Sequence, residues 1–540
     1  MPDEAAVPPP STQPVATALI AGAILAATAW LLLAPDRVVS RLMTWDLLFN
    51  LEGAWRLLQG QVPHVDYHDP LGALAFWPTA LGMHLLGPSV FASVFGKLLV
   101  AAVLYVAATV AASRRLMLLP AVLFVLFACD LVLIPTNTGS LADHFSFAMS
   151  YNTTGWAALS ILALILFLPP AHADRHNLPD LAIAGLLLLA LFHLKITYFL
   201  VGGGLLAGAL VLAPHLRTHR MAWAGIGAAA LANAAAPWNW PYLADIAAAI
   251  QTGAVHDSGQ GALLLAAANA TEIAIHAATL LVALALWRSH LAPLYLPTVV
   301  AVLLAAAVAT FSQNNQLRGL PLACVAAFLV YHQLRATLAR HGHGGLILLP
   351  LAALALPIAH VANATLSLAI YHLAARQDAR HIVVDSTNLR GLAVPQPQSN
   401  AVVNQEVDYD WVANLRPIGG GVRVSQATYI QTILEAAALF HPSAGRPGGI
   451  HLLDQVNPMA FVLGRPAPRG VALWMDALFP FQPAATSFAE VNHVLVPKLS
   501  TYADLTQLAL AQYGSYIAAH FPVRTETPHW ILLSRNRMRP

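Results

Sequence analysis

Long apolar runs recur through the first two thirds of the chain, separated by short polar stretches. A helix needs about 20 apolar residues to cross a bilayer, and by that length the pattern predicts about eleven transmembrane helices. The fold class is therefore an α-helical polytopic membrane protein. The predicted spans lie near residues 15–34, 89–112, 116–135, 151–169, 180–194, 196–213, 221–236, 264–287, 291–310, 319–334 and 345–366.

One further apolar run, Leu71 to Leu86, is interrupted by Pro78 and Gly82. It decides the topology, because clusters of Arg and His mark cytoplasmic loops. All the clusters fall on one side only if this run does not cross, so we expect a re-entrant or interfacial helix and an amino terminus inside. The clusters lie at 114–115, 171–176, 215–220, 287–290 and 335–343, and the outward loops at 35–88, 136–150, 237–263 and 311–318.

From His372 onward polar residues become common and no spanning run remains, which predicts a soluble outer domain. Four short apolar runs, at 450–454, 471–475, 493–497 and 530–534, favour strands, and 501–520 favours a helix, so this domain is predicted to be α/β. It lacks a phosphate-cradling glycine motif in a strand-to-helix frame. The predicted domains are a cytoplasmic tail 1–14, a membrane domain 15–370 and an outer domain 371–540.

Composition agrees with a membrane protein: 58% of the 540 residues are hydrophobic and 10% are charged, and the mean hydropathy is +0.64. The net charge of +2 excludes a strongly basic nucleic-acid binder, and no nucleic-acid partner is expected. Cys129 and Cys324 both lie in apolar runs, as buried packing residues do. The first apolar run lacks a positive n-region before it and is long enough to span, so we expect a retained helix rather than a cleaved signal peptide.

The stretch from Thr44 to Gly72 is polar, acidic and aromatic in this lipid-soluble context. It predicts a helix over 46–59 that ends at Gly60, followed by an extended, proline-bearing loop. Helical spacing places Asp46, Asn50 and Gly53 on one face. On another face Glu52 and Arg56 are predicted to form an ion pair.

Two acids in the outer loops are candidate catalytic groups. Asp46 follows the first span, where an acid near the membrane is costly to keep unpaired, although Asp at this place is also a preferred helix N-cap. Asp143 lies beside His144 in the second outer loop, and the alternative for Asp143 is an ordinary solvated loop.

Four cations lie at outer ends of spans, against the positive-inside tendency: Arg37, Arg41, Lys195 and Arg318. A lipid phosphate explains them, since Arg presents a planar fork to phosphate oxygens and Lys a point charge. Simple snorkelling to phospholipid headgroups is the alternative.

Metal and sugar binding also have candidates in the outer loops. His64, His68 and Asp69 have side chains that suit a divalent cation such as Zn or Mn. We expect such a cation to be optional, so that no cofactor is required. The loop 237–260 carries aromatic residues and His256, which suit either a sugar ring or anchoring among lipid headgroups.

Together these residues resemble the GT-C glycosyltransferase superfamily, which includes protein O-mannosyltransferases and lipid A aminoarabinose transferases. The resemblance covers roughly residues 15–320. It rests on Asp46 early in a long first outer loop, a small-residue helix ending at Gly60, and the D-Y-x-D-P-L-G segment at 66–72. It also rests on Asp143, on LKITYF at 194–199, and on the outer domain at the carboxyl end. One departure is that Asp46 is followed by Leu47, where the family often has paired acids, and this leaves the identity of the base open.

The resemblance implies an integral-membrane enzyme that transfers a sugar from a polyprenyl-phosphate donor to a hydroxyl of a glycan, lipid or protein. The expected place is the outer face of a bacterial inner membrane, among phospholipids, with a role in the cell envelope. Asp46 and Asp143 would be catalytic, and the substrate-binding residues would be Arg37, Arg41, Asn50, Asp66, Tyr67, His144, Lys195, His256 and Arg318.

Other classes remain as alternatives. A transporter or flippase would line a mid-membrane path with charges, whereas the charges here cluster at outer ends. An O-antigen ligase or polymerase would carry its large soluble segment between late spans. A non-catalytic sensor or assembly factor would act through the outer domain.

Overall fold

The structure is a computed structural model of the chain. It describes residues 13–136, 140–171, 177–251, 266–267, 269–290, 295–311, 319–340, 348–396, 425–440, 446–475, 480–498 and 503–536. Within these residues the chain is mostly helical, with one three-stranded and one four-stranded sheet.

Ala and Leu dominate the apolar runs, and both are strong helix formers. The first ten helices are α1 Gln13–Leu33, α2 Thr44–Leu58, α3 Trp77–Leu86, α4 Phe91–Ser113, α5 Leu118–Leu133, α6 Ser150–Phe167, α7 Leu178–Leu194, α8 Ile196–Leu212, α9 Arg220–Ala235 and α10 Trp240–Gln251. The next five are α11 Ala270–His290, α12 Tyr295–Phe311, α13 Cys324–Arg340, α14 Leu348–Ala352 and α15 Ala355–Ala374.

In the part of the chain that the structure describes, five helical segments are long and apolar enough to cross a membrane: Gln13–Leu33, Phe91–Ser113, Ser150–Phe167, Ala270–Arg288 and Pro321–Ala339. The bent pair Ile196–Leu212 and Pro214–Ala235, whose halves meet at 99°, is a sixth candidate. Each predicted range contains a helix, but the predicted number of about eleven spans is not confirmed. The reason is length, since α5, α7 and α12 have only 16 or 17 residues. The predicted span 345–366 is divided between α14 and α15.

Polar contacts gather several helix ends at one end of the bundle, here called the inner end. The Gln13 amide donates to the carbonyls of Ser113 and Leu116, which joins the start of α1 to the end of α4. Arg115 binds the Asp180 carboxylate at 2.7 Å, which joins the end of α4 to the start of α7. The chain between α1 and α4 therefore leaves and re-enters the bundle at the opposite, outer end.

Within that segment α3 packs along both α2 and α4. The contact is close because small residues face it: a Cβ at Gly53 would overlap the Phe76 ring. Asn50 completes the contact, because its amide donates to the Ala75 carbonyl at 3.0 Å and accepts from the Thr79 hydroxyl at 2.6 Å. Helix α3 is thereby attached to the bundle along its length.

Helix α2 lies buried at the outer end and ends where the sequence predicts. Gly60 has a φ of +76°, the left-handed conformation that follows many helices. The predicted ion pair is confirmed: Arg56 Nε lies 3.1 Å from Glu52 Oε1, and neither side chain is exposed. The pair also binds the outer domain, since Glu52 accepts from the Phe461 amide and Arg56 donates to the Val471 carbonyl.

The outer domain supplies six of the seven described strands, and the residues just after α1 supply the other. The strands are β1 Val38–Val39, β2 His381–Val383, β3 Leu392–Pro395, β4 Gly449–Leu452, β5 Val491–Pro497, β6 Val523–Glu526 and β7 Trp530–Ser534. The first sheet has the order β1-β3-β2, so the residues just after α1 pair in parallel with a strand more than 350 positions later. The second has the order β4-β5-β7-β6. Its helices are α16 Gln426–Ala438, α17 Met459–Leu463, α18 Ala484–Ser487 and α19 Ala503–His520.

Three of the four predicted strands are confirmed as β4, β5 and β7, and the predicted helix is α19. The prediction of a strand at 471–475 is wrong. That segment makes only an isolated bridge between Trp474 and Val456, because its Val471 carbonyl is taken by Arg56 of α2. It therefore joins the outer domain to the membrane domain instead of extending a sheet.

Candidate functional site

Asp46 lies in the first turn of α2 at the outer end of the bundle. It is not the N-cap: that position belongs to Met43, which has a φ of +50°, and no side chain caps the helix there. The Asp46 side chain stays partly accessible, and the described residues give its carboxylate no hydrogen-bond partner. Burial raises its pKa from 3.8 to about 7. A carboxyl group with such a pKa suits proton transfer near neutral pH.

Lys195 lies in the break between α7 and α8. Its ammonium is 5.2 Å from the centre of the Tyr151 ring, at the start of α6. Burial lowers the pKa of Lys195 to about 8, while the negative charge of Asp69 opposes that shift. Tyr151 is also within electrostatic reach of both Asp46 and Asp69. These four residues, Asp46, Asp69, Tyr151 and Lys195, are called the acid-lysine group.

Asp69 is the most enclosed member of this group, with 1% of its surface exposed. One carboxylate oxygen accepts from the Leu71 amide at 2.6 Å. The other is buried and has no hydrogen-bond partner among the described residues. Burial raises the pKa of Asp69 to about 8; the Leu71 amide and the Lys195 charge oppose this rise, whereas the Asp245 charge adds to it.

Asp245 of α10 holds the loop that carries Asp69. His64 Nδ1 lies 2.9 Å from one of its carboxylate oxygens, and His68 Nδ1 lies 2.8 Å from the other. Burial alone would raise the pKa of Asp245, but the two histidine hydrogen bonds outweigh it and the pKa is lowered. Three side chains from two distant segments thus fix the loop 64–69 against α10.

The predicted metal ligands His64, His68 and Asp69 therefore all contact the carboxylate of Asp245. Among the described residues, no group of three His, Cys, Asp or Glu side chains converges in a way that would hold a metal ion. His64 retains a buried Nε2 that no described residue contacts by a hydrogen bond. Metal binding here stays a prediction.

Arg41 is the centre of a second polar cluster, at the outer end of α1. Its guanidinium lies 3.5 Å from the Asp143 carboxylate and stacks 4.9 Å from the Phe145 ring centre. The predicted catalytic acid Asp143 is thus an ion-pair partner of Arg41. We call this cluster the arginine group, and its members are Arg37, Arg41, Asp143, His144, Arg380 and His381.

Three buried nitrogens of the arginine group have no hydrogen-bond partner among the described residues. Arg41 Nε, His144 Nε2 and His381 Nε2 are buried, and no described residue accepts a hydrogen bond from them. Burial and the charge of Arg41 both lower the pKa of His144 and of His381. His381 Nδ1 donates to the Gln377 carbonyl, so Nε2 of the neutral ring can only accept a hydrogen bond. The group therefore offers the N–H of Arg41 Nε as a donor and, with three arginines against one acid, net positive charge, which suit an anion such as phosphate.

Three predicted substrate-binding residues make structural contacts, and their role in binding stays a prediction. Asn50 binds α3, as described above. Asp66 accepts from the Val62 amide at 2.8 Å and pairs with Arg469 at 3.4 Å, which closes the loop and attaches it to the outer domain. Tyr67 is fully buried, with the Arg56 guanidinium 5.2 Å from its ring centre. His256 and Arg318 lie outside the described residues.

Comparison with known protein families and with curated proteins finds no match to this chain. The resemblance to the GT-C superfamily thus rests on the sequence motifs quoted above. Of that motif set, the structure places Asp69 within electrostatic reach of Lys195, and Asp46 within reach of the Tyr151 ring that Lys195 also approaches.

Sequence reasoning missed Tyr151 and Asp245, and it included Tyr242 only among the aromatic residues of the loop 237–260. A signal existed for Asp245: on the otherwise apolar α10 it lies three positions after Tyr242, and both are buried. Tyr242 accepts a hydrogen bond from the Ile196 amide at 3.0 Å, directly after Lys195. An aromatic and an acid on one face of a short outer helix mark a contact surface.

Proposed function

We propose that this chain is an integral-membrane glycosyltransferase that moves a sugar from a polyprenyl-phosphate donor to a hydroxyl acceptor. The observation that carries the proposal is the acid-lysine group: Asp46 and Lys195 approach the same tyrosine at the outer end of the bundle. A carboxyl group that titrates near neutral pH thus lies in the same site as a cation. This is the pair of groups that transfer from a phosphate leaving group needs.

The reaction makes a defined demand on each partner. The acceptor oxygen forms a bond to the sugar carbon, and its proton passes to a base. The bond from that carbon to the phosphate oxygen breaks, and the lipid phosphate leaves with added negative charge. In the proposal Asp46 takes the proton and Lys195 balances the charge that develops on the phosphate.

Asp46 suits the role of base better than Asp69. The Asp46 side chain stays partly accessible and its carboxylate has no described hydrogen-bond partner, whereas Asp69 is almost fully buried and one of its oxygens is held by Leu71. Asp69 instead supports the charge of Lys195. We assign it a positioning role.

The arginine group offers a second contact for the donor phosphate. It lies at the outer end of α1, a helix whose apolar side chains are largely exposed, such as Leu19 and Trp30. A lipid alongside α1 would have its headgroup at the level of Arg37 and Arg41. In the proposal these cations attract the phosphate from the bilayer, and Lys195 holds it during transfer.

The transporter alternative would use charged residues inside the bundle, such as Asp130 of α5 and Glu272 of α11, rather than the acid-lysine group. The acid-lysine group is formed by α2, the loop 64–69, the first turn of α6 and the break between α7 and α8, all at one end of the bundle. Charges along a mid-membrane path would favour transport, whereas the acid-lysine group lies at the outer end of the bundle.

The class is tested by incubating the purified full chain in lipid nanodiscs with a panel of radiolabelled polyprenyl-phosphate sugars and an envelope extract. We expect one donor to be consumed, with label appearing in acceptor material and free polyprenyl phosphate released in equal amount. Neither donor binding nor consumption across the panel would contradict the proposal, and transport of the same lipids would then be measured. Arg524→Gln, a substitution at an exposed arginine of the outer domain, serves as the matched control.

A further inference from the structure

A small cavity lies between the loop 64–69 and the outer domain, apart from the acid-lysine group. His68 forms one wall, and the outer domain supplies the rest, including His451, Trp474, Phe481, Gln482 and Tyr513. His68 also binds Asp245 at 2.8 Å. The cavity is thus linked to the candidate site through one carboxylate.

His451 is the unusual member of this lining. Only 1% of its surface is exposed, and within the described residues neither ring nitrogen has a hydrogen-bond partner. Leaving a buried polar group without a hydrogen-bond partner is destabilising. The ring is held in place by Phe488, with centroids 4.9 Å apart, and by Tyr513 at 6.4 Å.

The imidazole of His451 is neutral over the physiological range. Burial and, to a smaller extent, the nearby positive charge of Arg56 together lower its pKa to about 3. A neutral imidazole offers one N–H donor and one nitrogen acceptor. A hydroxyl group, which both donates and accepts, matches that pair.

The other lining residues indicate an uncharged ligand with a ring. No described residue of the lining carries a formal charge when the histidines are neutral, so a phosphate or carboxylate would gain no ionic partner. Trp474, Phe481 and Tyr513 supply aromatic surface, and the Tyr513 hydroxyl is already fixed by donation to the Gln482 carbonyl at 2.8 Å. The enclosed part holds only about one water-sized group, so a ligand would insert an edge rather than its whole body.

We propose that this cavity is a subsite for a neutral saccharide, which inserts a hydroxyl-bearing edge toward His451 and rests its ring against the aromatic wall. The assignment of this cavity as the acceptor subsite rests on the proposed glycosyltransferase function. Saccharide binding itself can be measured without any transfer. His68, which lines the cavity, directly precedes Asp69 of the acid-lysine group in the same loop.

The experiment measures binding of methyl glycosides of neutral hexoses to the purified full chain by saturation-transfer NMR. We expect at least one to bind the wild type and His451→Phe to weaken that binding about tenfold, since each neutral hydrogen bond contributes on the order of 1 kcal/mol. The corresponding hexuronic acid glycosides should bind more weakly than the neutral ones. Absence of binding by every neutral glycoside, or equal binding by His451→Phe, would overturn the subsite and would indicate that His451 merely holds a buried water.

Misfolding is separated from loss of binding by a matched pair of variants. His451→Phe removes only unpartnered nitrogens, so its melting temperature should equal or exceed that of the wild type. His493→Phe, in the neighbouring strand, removes contacts to Ser534 at 2.8 Å and to the Pro447 carbonyl at 3.0 Å, so it should unfold earlier. If transfer activity is absent but glycosides bind through His451, the glycosyltransferase function fails while the subsite stands. If transfer occurs and its acceptor KM is unchanged in His451→Phe, the subsite fails alone.

Discussion

Arg56 and Glu52 form an ion pair of 3.1 Å inside α2, and no part of either side chain reaches solvent. Each also binds the backbone of the outer domain, at Val471 and at Phe461. Breaking such a pair leaves one charge buried and uncompensated, which costs about 3–5 kcal/mol. The pair therefore connects the stability of the membrane domain to the position of the outer domain.

We expect Glu52→Leu and Arg56→Met each to lower the melting temperature of the purified chain strongly, while the double variant loses less than the sum of the two. Thermal unfolding in detergent measures all three variants. The control is Arg390→Gln, which removes an exposed ion pair with Asp385. Additive losses would show that the two charges do not stabilise each other.

A second expectation concerns the pH dependence of stability. Burial raises the pKa of Asp46 to about 7 and that of Asp69 to about 8, from 3.8. The folded chain therefore binds these protons more tightly than the unfolded chain, and stability falls as pH rises from about 4 through 7 to 8. Asp46→Asn and Asp69→Asn remove the penalty, so they should raise the melting temperature at pH 8.5 more than at pH 5. The exposed Asp385→Asn should change neither value, and a uniform effect of Asp46→Asn at both pH values would contradict the raised pKa.

The arrangement of Asp46 and Lys195 also predicts the pH dependence of transfer. The base must be ionised, so kcat/KM should rise with pH through about 7, and the ammonium must be protonated, so it should fall above about 8. Arg stays charged in this range. In Lys195→Arg the falling limb should therefore disappear, while Lys195→Met should lower kcat/KM about 100-fold. A falling limb unchanged in Lys195→Arg would assign it to another group.

Arg41 is predicted to bind the donor through its phosphate. A hydrogen bond to a charged group contributes about 1.5–3 kcal/mol, so Arg41→Gln should weaken binding of sugar-free polyprenyl phosphate by at least about tenfold. Binding to the chain in nanodiscs is followed by the fluorescence of a labelled lipid. Arg524→Gln is the control, because Arg524 pairs with Glu526 at the surface. Equal affinity of the two variants would remove the arginine group from the donor site.

Local parts of this structure follow from the sequence. The ion pair of Glu52 and Arg56 depends on helical spacing alone, and the end of α2 depends on the conformational freedom of Gly60. The apolar runs likewise locate the helices of the membrane domain. Their number as spans does not follow, because α5, α7 and α12 end a few residues short of the length a bilayer needs.

The candidate site was predicted only in part, because its contacts join distant positions. Asp245 meets His64 across 181 positions, and Val38 pairs with Leu392 across the whole membrane domain. No local pattern specifies such partners. Asp143 illustrates the same limit, since its pairing with Arg41 depends on how two outer loops pack.

The most direct test is single-turnover transfer by wild type and by Asp46→Asn, each preloaded with the donor that the wild type consumes. Asp385→Asn serves as the control, because Asp385 is an exposed acid of the outer domain that pairs with Arg390 at the surface. The account predicts that Asp46→Asn binds the donor as tightly as the wild type but transfers at least about 100-fold more slowly. Transfer at the wild-type rate by Asp46→Asn would contradict its role as the base and, with it, the central claim about the acid-lysine group.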